Sequence, residues 1–331
     1  MNVADIASFA VLGYMGSRLV AGTRRSRTTE GRQLITEIVR GLRWRHVIPV
    51  PFMLGSNGLE FPSSTNSGKT IGGVLTASPE IRKLSFTGST RAGKRVAELA
   101  SQTVKRVALE LGGKSASVIL PDADLAAAVK GSVSACMLNS GQTYSAHTRM
   151  LVPDERFDEA KALAAAAVAK LTLGPSLDEN TRLGPLVSAA QRDRVIHFIE
   201  LGLKEGAELV AGGPERPPMD RGYFVQPTVL AVQPHHTLAK EEIFGPVLAI
   251  QTFRTEDEVI EKANNTPFGL SAGVWTDKGS KIFNMTSKLR AGVIWANTYN
   301  KFDPTSPFGG YKESGFGREG GMHGLNAYLK M

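Results

Sequence analysis

From about Pro62 onward, short apolar runs alternate with longer stretches of helical periodicity, and this alternation restricts the folds open to the chain. The apolar runs have the length of buried strands and lie at Lys83–Phe86, Arg106–Leu109, Ser117–Leu120 and Arg149–Val152. Helices are predicted at Phe157–Leu171 and Ala189–Glu205. Strands separated by helices favour a mainly parallel sheet, so the predicted fold class is α/β.

The first sixty or so residues differ in composition from the rest of the chain. Residues 1–68 contain 8 arginines, no lysine and 4 acidic residues, which gives +4 of the total formal charge of +8. Apart from one predicted helix, Thr28–Leu42, they show no strand-like or helical periodicity. Two explanations fit this segment: a genuine leader or divergent segment, or an out-of-frame or misassigned start joined to a real gene.

Composition and charge exclude several classes of protein. The 331 residues are 42% apolar and 21% charged, as in an ordinary soluble protein of about two domains. No zinc-finger or RNA-binding motif accompanies the basic charge, so no nucleic-acid partner is expected. The apolar run Ile6–Gly22 is interrupted by Arg18 and is too short to span a bilayer. The single cysteine, Cys136, excludes an internal disulfide and a multi-cysteine metal site, and we predict a soluble cytoplasmic protein without a membrane partner.

Two strand ends carry residues suited to ligand binding. The strand ending at Phe86 runs into Thr87-Gly88-Ser89-Thr90, a turn that opens a helix and so offers backbone N–H groups to a phosphate. Glu110 follows the strand Arg106–Leu109 and precedes two glycines, which places a carboxylate at the rim of the sheet, where ligands bind in α/β proteins. Taken alone, each feature is explained equally well as an ordinary turn or a surface carboxylate.

Three further blocks rich in glycine follow along the chain, at Asn139–Tyr144, Glu241–Val247 and Pro307–Gly315. The order and spacing of all five blocks resemble the aldehyde dehydrogenase superfamily, most of all its succinate-semialdehyde and broad-range aldehyde dehydrogenase branches. Supporting stretches that also resemble the family are Leu183–Leu186, Gln226–Thr228, Asn265–Leu270 and Gly317–Glu319. The resemblance covers about residues 62–330 and implies the family's α/β catalytic domain beside a Rossmann-type cofactor domain.

The resemblance implies a role for each matching position. Gly88 and Ser89 would contact the pyrophosphate of NAD or NADP, Glu242 would hold the nicotinamide ribose, and Phe244 would lie beside the nicotinamide. Glu110 would be the general base that activates the deacylating water. The family reaction is the NAD(P)+-dependent oxidation of an aldehyde to a carboxylic acid, so the expected partner is a small-molecule aldehyde.

The nucleophilic cysteine of the family lies 34 residues after the general base, and the residue at that position here is Tyr144, since 144 minus 110 is also 34. A thiol begins near pKa ~8.5 and can be lowered by its site, whereas a phenol begins near ~10 and forms a poor acyl carrier. Cys136 is expected to be a buried structural thiol on the preceding helix. Ser145 and His147 are not expected to act as a hydrolase pair, because no G-x-S-x-G turn presents the serine.

The expected organisation has four parts. A divergent or unrelated segment occupies 1–61, a partial NAD(P)-binding portion 62–112, a catalytic domain 113–304, and a tail that returns to the cofactor portion 305–331. The family's Pro-Trp-Asn segment and its N-terminal cofactor-binding lysine are not found in residues 1–61, and its oligomerisation strand is not found after the tail. We therefore expect an N-terminally truncated family member with a weak or lost cofactor site.

Three functional hypotheses follow from the sequence. The leading one is a pseudoenzyme that keeps the fold with little or no dehydrogenase activity, because a missing nucleophile leaves only residual catalysis. The second is an active NAD(P)-dependent dehydrogenase in which Tyr144 or the start of the chain is a sequence error. The third is a non-enzymatic binding or structural protein on the same fold.

Overall fold

The computed structural model describes residues 52–53 and 67–329, and the predicted helix Thr28–Leu42 and nearly all of segment 1–61 lie outside them. The strands within these residues are β1 (Phe52–Met53), β2 (Lys83–Thr87), β3 (Arg106–Glu110), β4 (Ala116–Ile119), β5 (Arg149–Pro153), β6 (Glu208–Ala211), β7 (Thr228–Ala231), β8 (Val247–Phe253), β9 (Phe268–Gly269), β10 (Ser271–Trp275), β11 (Val293–Ala296), β12 (Tyr311–Lys312) and β13 (Gly315–Phe316). The α-helices are α1 (Ser67–Ala77), α2 (Thr90–Ser101), α3 (Leu125–Met137), α4 (Phe157–Val168), α5 (Ala189–Lys204), α6 (Glu256–Asn264), α7 (Gly279–Lys288) and α8 (Gly321–Asn326). Short 3-10 turns lie at Leu138–Gly141, Asp154–Arg156 and Thr237–Ala239.

The larger sheet has seven strands in the order β11-β10-β4-β5-β8-β7-β6. All neighbouring strands are parallel except β6 and β7, which are antiparallel. Helices cover both faces, since Ile119 of β4 packs in the cluster with α3 and α4 while Val118 packs in the cluster with α6 and α7. Strands buried on both faces need continuous apolar runs, which is why β4 and β7 are buried at every position. The predicted mainly parallel α/β fold is confirmed.

The smaller sheet has four strands in the order β1-β2-β3-β13. The pairs β1–β2 and β2–β3 are parallel, whereas β13 runs antiparallel to β3 with Gly315 opposite Glu110. Two small apolar clusters join these strands to α1 and α2. A strand from the last part of the described chain therefore completes the edge that carries Glu110, while the four domain boundaries stay a prediction.

The predicted strands coincide with β2, β3, β4 and β5 to within one residue at each end. Helix α5 ends one residue before its predicted end and α4 three residues before. The alanine-rich pattern continues past Val168, but the Leu171 N–H donates to the Val168 carbonyl, which tightens the chain into a turn. No helix in the described part of the chain is long and apolar enough to cross a membrane.

Candidate active site

Glu110 is the last residue of β3, and its side chain is only 5% exposed. Its Oε2 has no hydrogen-bond partner among the described residues. Burial, together with the nearby charge of Glu319, raises the pKa of Glu110 to about 8, although the charge of Arg318 partly offsets both effects. A buried carboxyl with a pKa near neutrality can both take and release a proton, which is the property a general base needs.

Tyr144 follows α3 and the 3-10 turn Leu138–Gly141, and its side chain is half-buried. Its ring meets the ring of Phe308 edge-on, with centroids 6.2 Å apart and planes at 85°. Burial raises the pKa of the phenol to about 12, and the second cause is the charge of Glu110. The structure thus places Glu110 and Tyr144 in one electrostatic environment, and the phenol is neutral at physiological pH.

The backbone around Tyr144 is held by close contacts with two other segments. Asn139, Ser140 and Gly141 all have positive φ, at 52°, 55° and 75°, so the chain reverses sharply after α3. A Cβ on Gly141 would collide with the Gly245 carbonyl, and one on Gly113 would collide with the Tyr144 carbonyl. These glycines are required by close approach of backbone to backbone, a constraint that fixes the Tyr144 loop against the residues before β8.

Gly88 and Ser89 form the turn between β2 and α2. The Ser89 Oγ accepts a hydrogen bond from the Ala92 N–H at 3.3 Å and so caps α2. The Gly88 N–H donates to the Glu110 carbonyl at 3.0 Å. The Gly88 N–H is therefore used inside the smaller sheet, and the predicted contact of Gly88 and Ser89 with a pyrophosphate stays a prediction. The N-terminus of α2 is still available to bind an anion, because its first turn contains no acidic residue.

Glu242 and Phe244 lie in the loop before β8. The Glu242 Oε1 accepts a hydrogen bond from the Gly113 N–H at 3.0 Å, and a Cβ on Gly112 would collide with the same carboxyl. Burial raises the pKa of Glu242 to about 7. Phe244 has a φ of 60°, and its carbonyl accepts a hydrogen bond from the buried Gln191 Nε2 at 2.7 Å.

The Gly112-Gly113 backbone connects most of the predicted site. It continues from the strand that ends at Glu110, touches the Tyr144 carbonyl and binds the Glu242 carboxyl. Gly88 joins this group through its bond to the Glu110 carbonyl. Phe244 shares a loop with Glu242, but no hydrogen bond or ring contact joins it to Glu110 or Tyr144 among the described residues.

Sequence reasoning missed three side chains that shape this site. Phe308 lies against Tyr144, and Glu319 raises the pKa of Glu110. Lys114 is fully buried, which lowers its pKa, and the charge of Glu242 partly opposes that effect. All three stand inside blocks already singled out, but nothing in the local pattern showed which side chains of those blocks point inward.

Neither Cys136 nor the pair Ser145 and His147 is arranged to replace the missing nucleophile. The Cys136 Sγ is buried and donates to the Val247 carbonyl at 3.4 Å, and burial raises the pKa of this thiol to about 12. His147 is buried against the rings of Trp295 and Tyr299, and burial lowers its pKa to about 3. No hydrogen bond joins Ser145 to His147 in the described part of the chain, and no cluster of potential metal ligands occurs there.

Residues 63–331 match the family model described as the aldehyde dehydrogenase family. The 3-succinoylsemialdehyde-pyridine dehydrogenase of a Pseudomonas species is 46% identical over 266 residues, which are 80% of this chain and 56% of that protein. The betaine aldehyde dehydrogenase of Rhizobium etli is 44% identical over 266 residues, which are 80% of this chain and 54% of that protein. The chain thus spans about half the length of these relatives.

Solved structures give the same result. The crystal structure of a cysteine-to-alanine mutant of aldehyde dehydrogenase C from Pseudomonas syringae, in complex with NAD+ and octanal, superposes with a TM-score of 0.78 at 46% identity. The match covers 80% of this chain and 55% of that one. The NAD+ complex of an aldehyde dehydrogenase from Bacillus cereus superposes with a TM-score of 0.77 at 42% identity, covering 80% and 53%.

Proposed function

Because the chain belongs to the aldehyde dehydrogenase family, we propose that it keeps a site for a nicotinamide cofactor and a small aldehyde while Tyr144 prevents the family reaction. The observation that carries the proposal is the half-buried Tyr144 ring, which packs edge-on against Phe308 and whose phenol pKa burial raises to about 12. The chain is then a pseudoenzyme in which the acid–base residue is present and the nucleophile is not.

The chemistry needs a nucleophile that ionises readily and adds to the carbonyl carbon of the aldehyde. At pH 7 a phenol with a pKa of about 12 is ionised in roughly one molecule in 10⁵. Glu110 cannot compensate, because its carboxyl, with a pKa of about 8, is mostly protonated at pH 7 and is a much weaker base than a phenolate. The ring also takes up space against Phe308 that a substrate would need.

The residues present fit a nicotinamide cofactor. The Glu242 Oε2 has no hydrogen bond among the described residues and can accept one from a sugar hydroxyl, and the start of α2 suits a pyrophosphate. When bound, NAD+ or NADP+ supplies the hydride acceptor. The Gly88 N–H is already engaged by the Glu110 carbonyl, so we propose that cofactor binding is weak. The proposal also places the chain in the cytoplasm, where the free thiol of Cys136 stays reduced.

The decisive experiment compares the purified chain with its Tyr144→Cys variant for NAD(P)H formation with a panel of small aldehydes, octanal included. We expect turnover by the variant at least about a hundredfold above the unmodified chain, because the thiolate supplies the missing covalent step. Tyr144→Ala is the matched control, since it removes the ring without adding a nucleophile, and it should stay inactive.

Two results would contradict the proposal. Turnover by the unmodified chain would show that Tyr144 does not silence the site and that the chain is an active dehydrogenase. A Tyr144→Cys variant that binds NAD+ and stays inert would show that the block lies elsewhere in the site.

A further inference from the structure

Lys114 is among the largest fully buried side chains of the described residues, with 1% of its surface exposed. Its Nζ has no hydrogen-bond partner among those residues. A buried ammonium without a partner costs several kcal/mol unless an opposite charge compensates it. The family reaction as outlined above gives this lysine no role, so its compensation needs a separate explanation.

Four charged or titratable groups from three different elements lie near enough to act on the charge of Lys114, although none forms an ion pair with it. They are the Arg149 guanidinium of β5, the Cys136 thiol of α3, and the Glu241 and Glu242 carboxyls of the loop before β8. Arg149 adds a like charge, and its guanidinium is bound by the carbonyls of Lys114, Lys262 and Ala263 at 2.7–2.9 Å. Cys136 stays a neutral thiol.

Of the two carboxyls, Glu241 is exposed to solvent and Glu242 is held in the site. The residue directly before Lys114, Gly113, donates its N–H to the Glu242 Oε1 at 3.0 Å. Arg194, the other cation near Glu242, uses its Nη2 for the Glu242 carbonyl at 2.8 Å rather than for the carboxyl. Lys114 is therefore the cation best placed to compensate the Glu242 carboxylate.

We propose that Lys114 is a positioning residue whose buried ammonium is the counter-charge of Glu242, favouring the ionised form of that carboxyl and holding it across the Gly112-Gly113 backbone. In this state the free Glu242 oxygen can accept hydrogen bonds from the hydroxyl groups of a cofactor sugar. This consequence for cofactor binding rests on the proposed function, whereas the charge pair itself does not.

The titration of the two groups agrees with this pairing. Burial lowers the pKa of Lys114 to about 7 and raises that of Glu242 to about 7, while each charge opposes the effect of burial on the other. Replacing Lys114 by an uncharged residue removes the attraction and leaves the burial, so the pKa of Glu242 must rise further.

The first test reads the Glu242 carboxyl directly, by infrared difference spectroscopy across a pH series. The band of the protonated carboxyl is assigned by its loss in Glu242→Gln. In Lys114→Met its midpoint should move up by about one pH unit or more, and in Lys114→Arg it should stay near that of the unmodified chain. A merely structural lysine would alter thermal stability and leave the midpoint unchanged, and an unchanged midpoint would overturn the proposal.

A reciprocal measurement, of the Lys114 pKa in a Glu242 variant, keeps the proposal testable even if Lys114→Met does not fold. NMR titration of the Lys114 side chain should give a lower pKa in Glu242→Gln than in the unmodified chain, because the counter-charge is lost. An equal Lys114 pKa in both proteins would sink the pairing.

A second readout is the pH dependence of NAD+ binding, followed by tryptophan fluorescence. Affinity should rise with pH as Glu242 ionises, and the curve for Lys114→Met should lie at higher pH than that of the unmodified chain. If the infrared midpoint shifts but no variant binds NAD+ at any pH, the charge pair stands and the proposed cofactor site fails. If NAD+ binds with the same pH curve in both proteins, Lys114 does not position Glu242.

Discussion

At the scale of single residues, the site combines two side chains that burial keeps in their protonated forms. Burial keeps Glu110 protonated up to a pKa of about 8 and keeps the Tyr144 phenol neutral up to about 12. An aldehyde would meet proton donors at both positions and a nucleophile at neither. The same physical cause that makes Glu110 a useful base thus makes Tyr144 a poor substitute for a thiol.

His147 offers a test of how strongly the interior around this loop excludes charge. Burial lowers its folded-state pKa to about 3, whereas in the unfolded chain it lies near ~6.5. Between these values the unfolded chain binds the extra proton, so the free energy of unfolding falls as pH falls, by up to roughly 1.4 kcal/mol per pH unit. Above the unfolded value the effect is absent.

We expect His147→Gln to lose less stability than the unmodified chain between pH 7 and pH 4, by roughly 2–3 kcal/mol in urea titrations. His197, which is exposed, provides the matched control, and His197→Gln should follow the unmodified chain. Equal pH dependence in the His147 variant and the unmodified chain would mean that His147 is hydrated or paired.

At the scale of elements, the sequence predicted the strands well because each strand buried on both faces must be a continuous apolar run. It predicted less about the loops between them. The sharp reversal at Asn139–Gly141 has its cause in the Gly245 backbone, about a hundred positions further along the chain. The contact of Tyr144 with Phe308 likewise joins two blocks that are distant in sequence. The local sequence pattern therefore predicted which segments form the site. Which side chains face one another depends on tertiary contacts that the local pattern does not contain.

Gly141 tests the importance of the loop between α3 and Tyr144. A methyl group there would meet the Gly245 carbonyl, and the φ of 75° is strained for any residue with a Cβ. We expect Gly141→Ala to lower the free energy of unfolding by about 2 kcal/mol or more, measured by urea denaturation.

Gly279→Ala, at the first residue of α7, is the control because no atom lies within 4 Å of the added carbon. It should change stability by less than about 0.5 kcal/mol. Equal effects of the two alanine substitutions would mean that the α3–Tyr144 loop yields easily and does not fix the site.

At the scale of the whole molecule, the two sheets have unequal cores. Three large apolar clusters cover both faces of the seven-stranded sheet, whereas two small clusters support the four-stranded one. Local opening costs less where fewer apolar side chains are buried. From the described residues alone, we expect the sheet that carries Glu110 to open locally at a lower free-energy cost than the larger sheet.

Hydrogen exchange followed by mass spectrometry should show this difference directly. We expect the amides of β2 and β3 to exchange through local opening, faster than those of β4, β5 and β8, which should exchange only on global unfolding. NAD+ should slow exchange in β2 and at the start of α2 if the cofactor binds there. Uniform protection across both sheets would show that they unfold as one cooperative unit.

The pairing of β13 with β3 has a consequence for synthesis on the ribosome. The Ser314 hydroxyl bonds to the Gly112 carbonyl across 202 positions of sequence, and Gly315 lies opposite Glu110. A nascent chain that has emerged only as far as β11 can already assemble the larger sheet, but the edge beside Glu110 is still open to solvent. The strand beside Glu110 is thus the last of the described strands to be made, and a chain stalled before β13 would leave this edge of the smaller sheet unpaired.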